Sequence, residues 1–575
     1  MIYPIDAAKK DIISNLKSAL SKLKYKCDAK LEIPPGEMAD FAFPCFQLAP
    51  IAKKSPNDIA KNIADNIKKS SWISKAQADN GYVNFYINKE KLTEETFNSV
   101  FEKKKNYGFL DKKNKKIIVE HTSANPNGPL HVGRARNPII GDTIVRISKA
   151  AGCNVDSQFY LDDMGKQVAM LAWGINSLSS KEIPKSKYEK LDHKNVGYYQ
   201  KTNELMDENI DVSSEIGEIV KKLEEGDTKT IDMIHKAYTP VLKGIKESMN
   251  RINISIDKYI PESNFVKDKS VDEVVKKLKK SKYAGVEDGA YFLEMESFGI
   301  KGRNTKFFFL RKDKTTLYAT RDIAYHIWKA KQADMLVNVL GEDHKLESKQ
   351  VEIALDLIGE KKIPKVIFYS FVSLPGGKMS TRKARVVYLD ELIDECVSRA
   401  YEEVKKRRGD ELSEKKMKDI AEIIGVGALR YNIIKVQPEK DIVFKWEEAL
   451  NFEGNASPFI QYSHARACSI LKKKSDEIKN IDSSVLTHES EYKLVKKIAE
   501  FPIVIDETCE SFKPHIITSY LFETASLFNA FYRDCPVLSE KDKKLRLSRL
   551  ALVDSTRIVL SNGLNLLGIV SPEEM

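Results

Sequence analysis

The sequence predicts an α/β protein built around a doubly wound parallel sheet, with an N-terminal α+β domain and a C-terminal α-helical domain. Short buried strands alternate with helices from residue 117 onward, and strand signals nearly vanish beyond about residue 400. The chain has 575 residues, and single hydrophobic cores stop growing at roughly 250 to 300 residues. About three domains are therefore expected.

The N-terminal domain is predicted to cover residues 1–113. It opens with helical periodicity and ends in an alternating strand, Tyr82–Ile87, which is typical of a small α+β unit. The lysine-rich segment DKKNKK follows as a plausible linker to the next domain.

The parallel sheet is predicted within residues 114–400. Its strand candidates are Ile117–Val119, Met335–Leu340 and Val366–Val372. Because each strand is separated from the next by helical sequence, the strands are expected to run parallel and to collect ligands at their carboxyl ends. The polar block at about 178–285 is mostly helical in period and is predicted to be an insertion.

The C-terminal domain, residues 401–575, is predicted to be an α-helical bundle. Amphipathic helices carry the chain to its end, with apolar spacing such as that of Ile516, Tyr520 and Leu521. Such spacing places apolar side chains on one face of a helix.

Composition limits the functional classes. Hydrophobic residues make up 42% of the chain and charged residues 31%, as in a soluble globular protein. The formal charge of +11 favours a polyanionic partner, although lysine runs are often only solvated surface. The seven cysteines form no CxxC pair, which argues against disulfides or a zinc knuckle. Without an apolar run of membrane-spanning length, we expect a cytoplasmic protein with no membrane partner.

The first chemical motif follows the strand at Ile117–Val119. In EHTSANPNGPLHVGRARN, the Asn125–Pro129 segment forces a turn before a predicted helix. His131 and Gly133 therefore fall near a helix N-terminus, where free N–H groups attract phosphates. The alternative is that His131 is a helix-start histidine satisfied by its own loop.

The second motif follows the strand at Val366–Val372. The loop SLPGGKMSTRK carries three cations, Lys378, Arg382 and Lys383. Such cations can meet the charge that develops on a triphosphate as pyrophosphate leaves. Taken alone, however, a basic glycine-rich loop is more often a solvated loop.

Together, HVGR and KMSTR resemble the HIGH and KMSKS signatures of class I aminoacyl-tRNA synthetases, in the same order. The resemblance implies a Rossmann-type catalytic domain that uses ATP with Mg²⁺ as substrate and holds no structural metal. It implies that the amino-acid carboxylate attacks the α-phosphate while the enzyme positions the reactants and stabilises charge. The ATP-binding residues implied are His131, Gly133, Arg134, Lys378, Met379, Ser380, Thr381 and Arg382.

The sequence around these motifs resembles the arginyl-tRNA synthetase family across nearly the whole chain. Glu120, Asn125 and His131 keep the spacing of the family's VExxxxN…HxGH segment, and residues 318–322, YATRD, resemble its YxTRD segment. The resemblance implies that Glu120 and Asp322 face the arginine side chain. The remaining amino-acid contacts are expected from Asn125, Tyr318, Gln167 and His344.

The chemistry agrees with this assignment. A guanidinium is planar, permanently charged and rich in donors, so its selection requires carboxylates with a fixed geometry. The alternatives are that Glu120 is an edge carboxylate paired with a lysine and that Asp322 is a helix N-terminal acid stabilised by the dipole.

Both terminal domains resemble the tRNA-binding domains of the same family. In NASPFIQYSHARACSILKK, the residues Phe459, Tyr462 and Arg466 share a helical face. An aromatic beside an arginine can stack unpaired bases, although the same spacing also suits core packing. In the N-terminal domain, Asn84 and Phe85 are the candidates for contact with tRNA.

The sequence departs from the family pattern at four positions. Arg134 replaces the second histidine of HIGH, and Thr381 replaces the second lysine of KMSKS. Gly128 stands where some relatives carry a compensating lysine. The missing cation is expected to be Lys378, Arg382 or Lys383. His344 stands where other members have a glutamine.

The resemblance implies activation of L-arginine with ATP and transfer of arginine to the 3′ end of its tRNA. We expect a monomer, because the chain carries its own tRNA-binding domains. Two alternatives remain: a class I synthetase for another amino acid, and a catalytically silent paralogue that binds RNA.

Overall fold

The computed structural model describes residues 2–35, 39–208, 210–302, 305–373 and 387–575. Among these residues, no helix combines the length and the apolar character needed to cross a bilayer. All seven cysteines lie in the described ranges, and none of them forms a disulfide.

The N-terminal domain places helices against a small antiparallel sheet with the strand order β1-β3-β2. The predicted strand Tyr82–Ile87 is confirmed as its central strand, β3. Alternate residues of this strand, Val83 and Phe85, are buried in the domain core. The elements are α1 (Pro4–Lys22), β1 (Phe41–Pro44), α2 (Ala49–Ala52), α3 (Pro56–Asn66), β2 (Ile73–Asp79), β3 (Tyr82–Ile87) and α4 (Lys89–Lys103).

The middle of the chain forms a five-stranded parallel sheet with helices on its faces. The strands in this part of the chain, including those outside the parallel sheet, are β4 (Lys116–Glu120), β5 (Asn154–Leu161), β6 (Lys258–Pro261), β7 (Ala284–Glu287), β8 (Ala290–Glu294), β9 (Lys306–Leu310), β10 (Met335–Gly341), β11 (Lys365–Tyr369) and β12 (Val372–Ser373). Its helices are α5 (Arg136–Ala150), α6 (Lys166–Ser177), α7 (Leu191–Glu208), α8 (Ile210–Glu224), α9 (Thr228–Arg251), α10 (Ser263–Lys267), α11 (Ser270–Lys279), α12 (Tyr318–Ala330) and α13 (Lys345–Leu357).

The parallel sheet has the strand order β11-β10-β4-β5-β6, while β7, β8 and β9 form a separate antiparallel sheet. The continuous apolar run Ile117–Val119 is buried on both faces at the centre of the parallel sheet, as such strands require. The predicted parallel sheet is therefore confirmed, with its carboxyl edge at Glu120 and Gly341.

Two strands differ from the predictions. The predicted strand Val366–Val372 is divided into β11 and β12, because the chain leaves the sheet where the Ser370 amide donates to the Pro438 carbonyl (2.9 Å). Within the predicted insertion, β6 returns to the parallel sheet beside β5. It is only four residues long and contains a lysine and a proline, so an edge strand with one partner leaves little signal in the sequence.

The C-terminal part of the chain is helical, as predicted. One short strand interrupts it, because Ile442–Val443 pairs in parallel with β12. The elements are α14 (Leu389–Arg408), α15 (Glu414–Ile434), β13 (Ile442–Val443), α16 (Trp446–Ala449), α17 (Ser457–Lys472), α18 (Glu489–Ser511), α19 (His515–Asp534) and α20 (Lys543–Leu566). The domain boundaries at residues 113 and 400 stay predictions.

Candidate active site

A cavity of about 430 Å³ lies at the carboxyl edge of the parallel sheet. It is built from the ends of β4 and β10 and from helices α6, α12 and α13. Arg134 lines it. So do all six residues predicted to bind arginine, namely Glu120, Asn125, Gln167, Tyr318, Asp322 and His344. Residues up to 224 positions apart in the sequence thus share one cavity.

Glu120 is the last residue of β4 and is 5% exposed. Its Oε2 accepts a hydrogen bond from Lys329 Nζ at 2.5 Å, and its Oε1 accepts one from Ser123 Oγ at 3.2 Å. The lysine partner that the sequence raised as an alternative therefore exists. It does not remove Glu120 from the cavity, because Lys329 approaches from behind the cavity wall.

A polar stripe on α12 faces the sheet, and two of its three residues, His326 and Lys329, were not predicted from the sequence. Asp322, His326 and Lys329 are spaced at i, i+4 and i+7, which brings them onto one helical face. His326 is 3% exposed and Lys329 is fully buried. Such a stripe is normally apolar, so a polar one against a buried sheet is the signal that identifies these residues.

Asn338 joins this stripe to the sheet. It is the register partner of Glu120 on the neighbouring strand, β10. Its Oδ1 accepts from Lys329 Nζ at 3.2 Å, and its Nδ2 lies 3.0 Å from His326 Nε2. His326 Nδ1 in turn lies 3.1 Å from Asp322 Oδ1. A continuous chain of polar contacts thus connects the two carboxylates.

The electrostatic environment keeps Asp322 ionised. Burial alone would raise its pKa, but the interaction with His326 and the charges of Lys329 and His344 outweigh burial. The pKa of Asp322 therefore lies below its ordinary value. At neutral pH the cavity presents a carboxylate here.

A second group of cavity residues is held by amide side chains. Gln167 Oε1 accepts hydrogen bonds from Asn125 Nδ2 at 2.9 Å and from Asn127 Nδ2 at 2.8 Å. Asn125 and Gln167, which the sequence placed in the same pocket, are therefore in direct contact. His344 Nδ1 lies 3.2 Å from Glu347 Oε2, and this contact raises the pKa of His344.

The turn after β4 has an unusual backbone. Thr122 and Ser123 have φ angles of +70° and +38°, a region that β-branched residues in particular rarely adopt. Asn137 on α5 holds this turn, since its Oδ1 accepts from the Thr122 amide at 2.7 Å and its Nδ2 donates to the Val339 carbonyl at 2.9 Å. The contacts of Asn137 thus hold a strained backbone in the segment that leads from β4 to Asn125.

The HVGR segment forms a short 3₁₀ turn, Val132–Arg134, immediately before α5. His131 Nδ1 accepts a hydrogen bond from the Gly133 amide at 3.0 Å, so this nitrogen is satisfied by its own loop. Burial and the nearby charge of Arg134 lower the pKa of His131. The neutral form of the ring is therefore favoured at physiological pH.

The second motif, Lys378, Met379, Ser380, Thr381 and Arg382, lies outside the described residues, as does Lys383. The segments on either side of residues 374–386 are described, and both are held beside the HVGR turn. On the C-terminal side, the Val132 amide donates to the Val387 carbonyl at 3.0 Å and the Leu389 amide donates to the Leu130 carbonyl at 2.8 Å.

On the N-terminal side, buried Arg136 of α5 holds three backbone carbonyls. It donates to Ser370 (2.8 Å), Lys440 (2.7 Å) and Gln437 (3.0 Å). Burial lowers the pKa of Arg136 to about 10, so its charge is retained at physiological pH. This residue ties the end of β11 and the segment before β13 to the HVGR helix.

A buried polar cluster joins the insertion to the start of α14. Asp390 accepts hydrogen bonds from Lys190 Nζ (2.8 Å) and Ser248 Oγ (2.9 Å), and His193 Nε2 lies 2.8 Å away. Although burial opposes ionisation, these partners lower the pKa of Asp390 to about 2. Lys190 also lies 3.4 Å from Asp192, so one lysine is shared by both carboxylates of the cluster.

The predicted anticodon residues Phe459, Tyr462 and Arg466 line one surface depression of about 600 Å³. The guanidinium of Arg466 lies 4.8 Å from the ring centroid of Tyr462 and 5.5 Å from that of Tyr532. Tyr462 is 40% exposed, while Phe459 packs against Phe522. The face that the sequence predicted is therefore present, with Phe459 at its buried margin.

The candidates in the N-terminal domain need correction. Phe85 is fully buried in the core of that domain and Asn84 is 7% exposed. Alternation along β3 directs Phe85 into the core. Phe85 therefore offers no face for stacking on a base, and Asn84 offers little surface.

The fold and the cavity define a class I aminoacyl-tRNA synthetase. A parallel sheet carries the HVGR turn and a polar cavity at its carboxyl edge, and residues 96–446 match the family model for the class I (R) tRNA synthetase catalytic domain. Residues 10–87 match the arginyl-tRNA synthetase N-terminal domain, and residues 460–575 match the DALR anticodon-binding domain. The chain belongs to the arginyl-tRNA synthetase family.

Individual relatives agree over nearly the full length. The chain is 46% identical over 530 residues to the arginine–tRNA ligase of Methanocella arvoryzae, covering 92% of each chain. It is 42% identical to that of Methanosarcina barkeri, covering 99% of each. The solved arginyl-tRNA synthetase of Thermus thermophilus superimposes with a TM-score of 0.82 at 27% identity, covering 98% of this chain and 100% of that one.

Proposed function

We propose that this chain activates L-arginine with ATP in the cavity at the carboxyl edge of the sheet and then transfers arginine to the 3′ end of its tRNA. The observation that carries the proposal is the pair of carboxylates, Glu120 and Asp322, in one cavity beside the HVGR turn. Family membership supports the same reaction.

The two carboxylates account for the choice of amino acid. A guanidinium presents five donors in a rigid plane, and two acids from different elements can accept them in a fixed geometry. Asn125, Gln167, Tyr318 and His344 line the rest of the cavity and are proposed to hold the α-amino and carboxylate groups. Lysine, with a shorter reach and one charged nitrogen, would leave one acid unpaired.

Activation requires no covalent enzyme intermediate. An oxygen of the arginine carboxylate attacks the α-phosphate of ATP, and the bond to pyrophosphate breaks. The residues of the HVGR turn and the loop residues Lys378 and Arg382 are proposed to position the MgATP substrate and to stabilise the charge of the leaving group. The ribose hydroxyl at the tRNA 3′ end then attacks the arginyl carbonyl, and AMP leaves.

Two further cations extend the candidates for the missing KMSKS lysine. Arg134 and Lys166 both line the cavity and are exposed, so each can approach a bound triphosphate. Arg134 is the last residue of the HVGR turn and is the stronger candidate, because arginine binds phosphate oxygens in a bidentate manner.

The terminal domains are proposed to bind tRNA. The depression lined by Tyr462 and Arg466 offers an aromatic face and a guanidinium to unpaired anticodon bases. A net charge of +11 supports association with a polyanion. The chain is proposed to work as a monomer in the cytoplasm.

Arginine-dependent ATP–pyrophosphate exchange on the purified chain tests the proposal, with and without tRNA and with lysine as the competing amino acid. Exchange with arginine but not with lysine is expected, and a requirement for tRNA would show that activation is tRNA-assisted. A folded protein that binds tRNA but catalyses no exchange would instead indicate a silent paralogue.

A further inference from the structure

Lys329, Asn338 and His326 form a series of hydrogen bonds that joins Glu120 to Asp322. The chemistry of these groups fixes which atom donates in each bond. Lysine can only donate, so Lys329 Nζ must meet the oxygen of the Asn338 amide, at 3.2 Å. The amide nitrogen of Asn338 then points toward His326 and donates to Nε2 at 3.0 Å.

The orientation of Asn338 and the oxygens of Asp322 favour the same tautomer of His326. Because Nε2 accepts, the ring proton sits on Nδ1. That nitrogen donates to the Asp322 carbonyl at 2.8 Å and lies 3.1 Å from the carboxylate Oδ1. The direction set at Lys329 is thus transmitted to Asp322 through two buried side chains.

We propose that Lys329 is a positioning residue for arginine selection, which acts through Asn338 and His326 to present Glu120 and Asp322 in fixed orientations to the substrate guanidinium. This inference rests on the proposed function of the cavity. Lys329 does not line the cavity, so it acts without touching substrate. Its single positive charge leaves the two carboxylates and the lysine with a net charge of −1, which matches one guanidinium.

The charge balance explains why a lysine is buried here. Two carboxylates that line one cavity repel each other. A fully buried ammonium 2.5 Å from Glu120, held also over the ring of Tyr325 at 4.0 Å, offsets that repulsion.

The variant Lys329→Met separates this role from simple packing. Without the ammonium, Glu120 loses its cation, and the Asn338 amide is free to turn its oxygen toward His326. Since Nδ1 keeps its proton against the two Asp322 oxygens, an Asn338 oxygen turned toward Nε2 would face a lone pair, and the His326 ring would lose its hydrogen bond at that end. Both acids would lose their productive orientation.

The experiment measures the KM for arginine and the KM for ATP in pyrophosphate exchange with tRNA present. For Lys329→Met, the KM for arginine should rise roughly 10- to 100-fold while the KM for ATP changes less than about twofold. The matched control is Lys362→Met. Lys362 donates to the carbonyls of Ala330 and Ala333, both at 2.9 Å, at the end of the same helix. It lies outside the cavity, so the KM of Lys362→Met for arginine should stay at the wild-type value.

A second variant tests the same role if Lys329→Met does not fold. Asn338→Leu keeps the ion pair of Lys329 with Glu120 but breaks the link to His326, and it should also raise the KM for arginine. In an Asp322→Asn background, Asn338→Leu should have much less effect, since the link then has no carboxylate to orient.

An unchanged KM for arginine in Asn338→Leu, or equal effects of that variant in both backgrounds, would overturn the positioning role. These outcomes are read against an active wild-type enzyme. If the wild-type chain fails to catalyse arginine-dependent exchange, the proposed function itself fails, and the two failures are thereby distinguished.

Discussion

The replacement Asp322→Asn removes one negative charge from the cavity and leaves the shape of the side chain nearly unchanged. The asparagine Oδ1 can still accept from His326, whose Nδ1 lies 3.1 Å from the present carboxylate, so the fold should lose less than about 1 kcal/mol. The substrate guanidinium, however, loses a charge-assisted partner and can meet an amide N–H in its place.

The lost interaction is expected to weaken arginine binding by about 2 to 3 kcal/mol, which corresponds to a rise in KM of roughly 30- to 150-fold. Since Asp322 is proposed to face the amino acid, the KM for ATP should change little. Pyrophosphate exchange at varied arginine and saturating ATP measures both constants.

The control for this prediction is Asp356→Asn on the outer surface of α13. Among the residues that the structure describes, Asp356 forms an ion pair only with the exposed Lys361, at 3.5 Å, and it lies outside the cavity. Its variant should behave as wild type. The reasoning is refuted if Asp322→Asn keeps a KM for arginine within about twofold of wild type.

Three further predictions concern other parts of the chain. Asp390→Asn should lower the free energy of unfolding by about 2 kcal/mol at pH 7, as measured by urea titration. The folded pKa of Asp390 is about 2, below its ordinary value. The difference between variant and wild type should therefore disappear as the pH falls from about 4 to about 2. Arg136→Met should lower the unfolding free energy by about 3 kcal/mol in the same titrations, since three carbonyls lose their donor, and an unchanged midpoint would contradict this anchoring role. Tyr462→Ala and Arg466→Ala should each raise the KM for tRNA about tenfold in aminoacylation while leaving the KM for arginine unchanged; equal rises in both constants would indicate a general loss of folding.

The parts of the fold that the sequence predicted correctly are those with strong local patterns. The run Ile117–Val119 is apolar throughout because both faces of β4 are buried, and this leaves a clear signal. The helix α5 follows from the spacing of Ile140 and Ile144. By contrast, β6 is a short edge strand whose pairing depends on β5, and no local pattern marks it.

The candidate site divides in a similar way. Residues carried by motifs, such as Glu120 and Asp322, were predicted because resemblance to the family marks them. The supporting residues Lys329 and Asn338 were missed, since their contacts depend on how α12 lies across β4 and β10. Phe85 was wrongly predicted to contact tRNA. The segment that resembles a tRNA-binding domain also contains the core residues of that domain, and only burial in the structure distinguishes core residues from residues that can contact RNA.

The most direct test of the central claim compares arginine with citrulline, its uncharged isostere, as substrates for pyrophosphate exchange by the wild-type chain in the presence of tRNA. If Glu120 and Asp322 select the amino acid by its charge, kcat/KM for arginine should exceed that for citrulline by at least about 1,000-fold, because an uncharged side chain leaves the remaining negative charge of the cavity without a cationic partner. Comparable values for the two substrates would show that the cavity recognises shape alone and would contradict the account.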